Sequence, residues 1–186
     1  MKRTFIAIPV SQETRRQVES IRQTLPELNS NVRLVSSQNL HLTLKFLGDT
    51  DEKAIPDISQ AVESVVSDFQ KFQYICEGTG CFPNAHHPRV LWLGISQGVD
   101  QIQSLANAIG SILQTFGYAP EKRGFQPHLT IGRVKDPRRK IAGIESFLKL
   151  KINPTINPVE NVIFYESNLT SGGAIYTRLV VFNLKK

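Results

Sequence analysis

The chain has 186 residues, 40% of them hydrophobic, enough for one compact core or two small lobes sharing an interface and too few for two independent domains. Lys and Arg outnumber Asp and Glu by 22 to 16, a formal charge of +6 with a pI near 9.5, which suits an anionic partner such as a nucleic acid and also serves solubility. No apolar stretch approaches the roughly 20 residues that span a bilayer, and Cys76 and Cys81 match no zinc or redox spacing, so a membrane-spanning helix and a thiolate metal site are excluded.

Residues 3 to 9 read as a first strand stopped by Pro9; the apolar run behind the positive start is too short for a signal peptide. Ser11 is placed to cap a helix over 12 to 25, with Pro26 beyond its end. A short strand at Val32 to Val35 and a turn at Ser36 to Leu40 lead into a strand over 41 to 47, which Gly48 and Asp49 are expected to end. The stripe Ile55, Ile58, Ala61, Val62, Val65, Val66 and Phe69 predicts a helix within 51 to 69, with Pro56 tolerated in its first turns. Strands over 72 to 81 and 89 to 95 flank the turn-rich segment 83 to 88. Ile102, Leu105, Ala106, Ile109, Ile112, Leu113 and Phe116 mark a helix over 99 to 116 that Gly117 terminates. After Pro127 comes a strand over 128 to 134, then a weak helix over 140 to 149, and finally strands near 159 to 167 and 174 to 183 across Ser171-Gly172-Gly173. The order predicts a mixed α/β fold with much antiparallel sheet. The two cysteines are expected as free thiols in a reducing cytoplasm.

Two of these strands carry the same pattern: His41-Leu42-Thr43-Leu44 and His128-Leu129-Thr130-Ile131. With 4 histidines in the chain, roughly 0.02 such matches are expected by chance, so two copies are a signal. Successive side chains of a strand point to opposite faces, so each copy aims His and Thr one way and its aliphatics the other. The copies lie 87 positions apart, close to half the chain, which predicts two related lobes each supplying one His and one Thr to a shared cleft. Two imidazoles flanking one phosphorus can divide the work of an in-line displacement. One takes a proton from attacking water and the other gives one to the leaving oxygen, since imidazole titrates near neutrality. The threonine hydroxyls can donate to the non-bridging oxygens. No metal ligand set is expected: His86 and His87 sit in a turn beside Pro88, and no His-Glu-x-x-His motif or cysteine cluster is present.

The paired motifs resemble those of the 2H phosphoesterase superfamily, and their surroundings resemble its RNA 2',3'-cyclic phosphodiesterases, formerly described as 2'-5' RNA ligases. The resembling segments are Arg3 to Ile8, Gln38-Asn39-Leu40, Lys45-Phe46-Leu47-Gly48, Phe82-Pro83, Pro88 to Trp92, Phe125-Gln126-Pro127 and Tyr165-Glu166-Ser167; Leu34 departs, standing where many members have Trp. The resemblance spans nearly the whole chain. It implies one bilobal domain over 1–186 with pseudo-twofold symmetry, two mainly antiparallel sheets lining a central cleft, and helices outside. It also implies hydrolysis of a terminal 2',3'-cyclic phosphate on RNA to a 2'-phosphate without metal or cofactor, with His41 as proton donor, His128 as proton acceptor, and Thr43 and Thr130 holding the phosphate.

Further substrate contacts are open. Lys45 shares the His41 face by strand parity, whereas Arg133 has the opposite parity to His128 in a regular strand although the family carries a basic residue there. Phe5, Trp92, Phe125 and Tyr176 are candidates for stacking on a base or for core positions. The same site could cleave or join 2'-5' linkages, with a 5'-hydroxyl replacing water. No Gly-Lys-Ser/Thr phosphate loop is present, so ATP-driven ligation is not expected. A non-catalytic RNA-binding module is the remaining reading. The expected partners are RNA ends or nucleotides with a 2',3'-cyclic phosphate, bound by a monomer.

Overall fold

The computed structural model describes residues 1–120, 124–170 and 173–185. Two antiparallel sheets organise it. The first has the order β3-β1-β8-β9, from β1 (Lys2–Pro9), β3 (His41–Thr50), β8 (Asn161–Thr170) and β9 (Gly173–Asn183). The second has the order β2-β6-β5-β4-β7, from β2 (Val32–Leu34), β4 (Phe72–Phe82), β5 (Val90–Gln97), β6 (Leu129–Val134) and β7 (Thr155–Val159). Each motif thus lies in or at the start of a strand of a different sheet. The sheets do not follow the sequence halves, because β8 and β9 join β1 and β3 while β2 joins β6.

Helices α2 (Ile55–Val66) and α3 (Val99–Gln114) pack against β9 and β3, and α1 (Gln12–Thr24) and α4 (Ile144–Leu148) against β7 and β4. Ser11 caps α1, its hydroxyl accepting from the Thr14 amide at 3.2 Å, as its position before the apolar stripe predicts. One core joins the layers: Ile6, Leu42 and Leu44 of the first sheet and Leu93, Leu129 and Ile131 of the second bury together with Ile58 and Val62 of α2 and Ile102, Leu105 and Ile109 of α3. All four aliphatic positions of the motifs therefore sit in one core. No helix of the described residues is long and apolar enough to cross a membrane.

Several boundaries depart from the sequence expectation. Strand β3 runs on through Gly48 and Asp49 to Thr50, because Gly48 takes a left-handed backbone (φ 75°) at an irregularity in the pairing with β1 and the ladder resumes beyond it. Strand β7 is hidden in the sequence by Pro158, which fits because β7 is the edge of its sheet and a missing N–H there need break no ladder. The helix within 140 to 149 shortens to the five residues of α4. Ser171 and Gly172 of the expected last turn lie outside the described residues, and Gly173 opens β9. Cys76 is a buried free thiol whose pKa burial pushes up to about 12; Cys81 is also free.

Candidate active site

Both motif strands are interrupted at the same place. In the β1–β3 ladder Ala7 pairs with Thr43 and Ile6 with Lys45, so Leu44 is an extra residue; in the β5–β6 ladder Trp92 pairs with Thr130 and Leu91 with Gly132, so Ile131 is extra. Each is the fourth residue of its motif, and each bulge inverts the facing of the residues beyond it. Lys45 moves to the Ile6 side, where it is 5% exposed and its ammonium donates to the Ala119 carbonyl at 2.7 Å. The expectation that it shares the His41 face is therefore overturned. Arg133, paired with Val90, is returned to the side of Thr130 and is exposed. Arg33 pairs with it across β2, so two cations stand side by side.

The histidines are held by one device used twice. His41 Nδ1 lies 2.7 Å from the Asn39 carbonyl and His128 Nδ1 lies 2.8 Å from that of Gln126, each two residues upstream. A carbonyl only accepts, so Nδ1 carries the hydrogen in both rings and Nε2 is left for chemistry. Around His41 stand Phe5 (ring centroids 4.7 Å apart), Tyr176 (5.2 Å, edge-on) and Tyr165 (6.2 Å). Burial among these rings, opposed by the hydrogen bond to the Asn39 carbonyl and aided by the charges of Arg133 and Arg15, brings the His41 pKa down to about 4. His128 meets the Phe82 ring edge-on at 5.0 Å; burial lowers its pKa too, with Arg133 again adding to the effect. One guanidinium thus acts on both imidazoles, and β3 and β6 lie against each other. Thr43 and Thr130 are half-buried, and neither hydroxyl is bonded to another described residue. The arrangement offers two neutral imidazoles with fixed tautomers, two unengaged hydroxyls and a cation, which together can bind a phosphodiester and move protons at either end of it.

A model of the 2'-5' RNA ligase superfamily matches residues 9–159. The chain belongs to this superfamily. It is 34% identical over 183 residues to an RNA 2',3'-cyclic phosphodiesterase of Methanothermobacter thermautotrophicus, covering 98% of both chains, and 35% identical over 177 residues to one of Thermotoga maritima, covering 94% of this chain and 91% of that one. Among solved structures, TT0787 of Thermus thermophilus superposes with a TM-score of 0.84 at 25% identity over 98% of both chains. Escherichia coli LigT complexed with 3'-AMP superposes with a TM-score of 0.79 at 26% identity, over 100% of this chain and 99% of that one.

In this member of the superfamily the aromatic candidates divide. Phe5 is 3% exposed and stacks on Tyr165 at 5.1 Å beneath His41, so it shapes the histidine and is not open to a base. Phe125 packs against the core and its carbonyl accepts from Gln103 Nε2 at 3.2 Å. Tyr176 stays half-buried beside His41. Trp92 lies over Gly80 and against Phe82 at 5.2 Å, with its indole N–H buried and unpaired among the described residues. Tyr165 and Phe82 were not singled out from sequence, although both fall in segments that resemble the family; their roles depend on cross-strand register, Tyr165 opposite Phe5 and Phe82 beside Trp92. His86 and His87 are exposed, their amides bonded to the Asn84 side chain at 3.0 Å. No group of three or more His, Cys, Asp or Glu gathers among the described residues.

Proposed function

We propose that this protein is an RNA 2',3'-cyclic phosphodiesterase that opens a terminal cyclic phosphate to a 2'-phosphate by two-histidine acid–base catalysis without a metal. The observation that carries the reading is that His41 and His128, on different sheets, present Nε2 by the same hydrogen bond within the field of one arginine. His128 Nε2 takes a proton from water as the water oxygen attacks phosphorus. The bond from phosphorus to the 3' oxygen breaks, and His41 Nε2–H protonates that oxygen. Thr43 and Thr130 donate to the non-bridging oxygens, and Arg133 offsets the charge that gathers on them.

The low pKa of His41 bears on this scheme. With a value of about 4, roughly one ring in a thousand carries the extra proton at pH 7 before substrate arrives. A phosphodiester anion beside the ring favours the imidazolium, so the acid is loaded together with the substrate. The same groups in reverse, with an RNA 5'-hydroxyl in place of water, would join ends without ATP, consistent with the superfamily's name. We take the chain to be one domain of two related lobes, acting as a cytoplasmic monomer on RNA ends or nucleotides bearing the cyclic phosphate.

The test is incubation with each nucleoside 2',3'-cyclic phosphate, with and without EDTA, followed by identification of the monophosphate isomer. The reading expects the 2'-isomer at a rate EDTA leaves unchanged. The 3'-isomer, loss of activity in EDTA, or binding without turnover would each reject it.

A further inference from the structure

A cavity of about 410 Å³ opens beside His41, lined by Arg15, Gln38, Asn39, His41, Tyr176 and Arg178 among others. Its lining contains neither His128 nor either motif threonine, and no carboxylate, so it adjoins the phosphorus site on the His41 side without being part of it. A neighbouring cavity of about 600 Å³ shares Arg15, Gln38 and Arg178 and adds Arg16; the one carboxylate there, Glu19, faces Arg22 at 3.7 Å.

The two inner arginines are placed by the fold. The Arg15 guanidinium, half-buried on α1, donates to the Ser37 carbonyl and, at 3.5 Å, to that of Leu40. Arg178 pairs with Tyr165 across β8 and β9, two residues beyond Tyr176 on the same face, and makes no ion pair with a described residue. Burial lowers the Arg15 pKa; Tyr165 opposes this, and the charge of Arg178 adds to it, so the two cations repel each other. Arg15 is half-buried and Arg178 stands exposed at the rim beside Tyr165, so like charges meet at a cavity whose lining has no carboxylate, and an anion there relieves their repulsion.

We propose that the Arg15–Arg178 cavity is a second phosphate subsite that holds the phosphate on the 5' oxygen of the nucleotide whose cyclic phosphate is opened. The inference rests on the reading of His41 as the acid at the 3' oxygen. In ribose the 3' carbon leads through the 4' carbon to the 5' oxygen, whereas the base leaves from the 1' carbon on the 2' side. A group that protonates the 3' oxygen therefore has the 5' phosphate on its own side of the sugar, and His41 is itself part of the lining of this cavity. The phosphate can be the diester to an upstream nucleotide or the monoester of a free nucleotide, since guanidinium groups bind the oxygens of both.

The test compares three substrates: adenosine 2',3'-cyclic phosphate with a free 5'-hydroxyl, the same nucleotide with a 5'-monophosphate, and the dinucleotide with an upstream adenosine. The subsite predicts that wild type gains roughly tenfold in kcat/KM from the added 5' phosphate and that Arg178→Gln loses most of this gain. Arg178→Lys, which keeps the charge, should retain part of it. A gain with both phosphorylated substrates identifies RNA ends and free nucleotides as alternative sources; a gain with the monoester alone identifies the nucleotide. A gain confined to the dinucleotide would mean the upstream nucleoside is read, and would overturn the proposal. Equal rates on all three substrates, or equal loss on all three in Arg178→Gln, would overturn it as well. If wild type turns over none of them, the phosphodiesterase reading fails on its own, and binding decides the subsite. Adenosine 2',5'-bisphosphate must then bind more tightly than adenosine 2'-monophosphate, with the difference lost in Arg178→Gln; equal affinities would reject the subsite.

Discussion

Gly80→Ala probes how the second sheet holds His128. A Cβ at Gly80 would stand 2.1, 2.2 and 2.6 Å from Cη2, Cζ2 and Cζ3 of Trp92. Carbon atoms in van der Waals contact sit about 3.5 Å apart or more, so the indole must retreat by about 1.4 Å. The half-buried indole packs on Phe82, whose ring meets His128 edge-on, and its strand pairs with Thr130, so its retreat is transmitted to the His128 side of the site. Overpacking of this kind costs about 1–3 kcal/mol, which at about 2–4 °C per kcal/mol for a chain of this size lowers Tm by about 2–12 °C. A displaced base of about 1 Å can also cost up to about 100-fold in rate. Trp92 is the sole tryptophan of the chain, so its emission reports the displacement directly. The three readouts are fluorescence, thermal unfolding by circular dichroism, and kcat/KM on a 2',3'-cyclic nucleotide. Unchanged emission together with unchanged Tm and turnover would refute the packing argument. Gly110→Ala is the control: nothing lies within 4 Å of its Cβ, and it sits inside α3, so it should stabilise by about 1 kcal/mol.

Other consequences arise from the histidine environments. Arg133→Gln removes a charge that lowers both imidazole pKa values, so NMR titration should show both rising while kcat/KM falls by about 100-fold; unmoved titrations would place the guanidinium away from the site. His41 is half-buried and neutral, with a folded pKa of about 4 against an unfolded value near 6.5. As pH falls from 6.5 toward 4 the unfolded state gains a proton the folded state refuses, so stability is full above 6.5 and declines below it. Between pH 7.5 and 5 the loss from this group is about 2 kcal/mol, and urea titrations of His41→Gln should lack it; an equal loss in the variant would contradict the burial. Thr130→Val, nearly isosteric, should lower kcat/KM by about 100-fold with little change in Tm, and an unaffected rate would remove the hydroxyl from phosphate binding.

What could be read from sequence divides along physical lines. The alternation of His and Thr against Leu and Ile is a local property of a strand, and it named the core face and the polar face of both motifs. The bulges at Leu44 and Ile131 are properties of pairing with β1 and β5, so parity placed Lys45 on the wrong face and Arg133 on the opposite one. Phe5 reads equally as a base platform or a core residue until Tyr165 and Tyr176 are seen closing over it. Pro158 hides an edge strand because whether a missing N–H matters depends on which side of the sheet it faces. The cavity at Arg15 and Arg178 joins a helix near the start of the chain to its last strand, a separation no motif spans.

The most direct measurement is kcat/KM for a 2',3'-cyclic nucleotide in His41→Ala, His128→Ala and the double variant. If two imidazoles act on one phosphorus as a unit, each single change costs at least about 100-fold and the double costs little more than either alone. Full activity in His128→Ala, or losses that simply multiply in the double variant, would contradict the account.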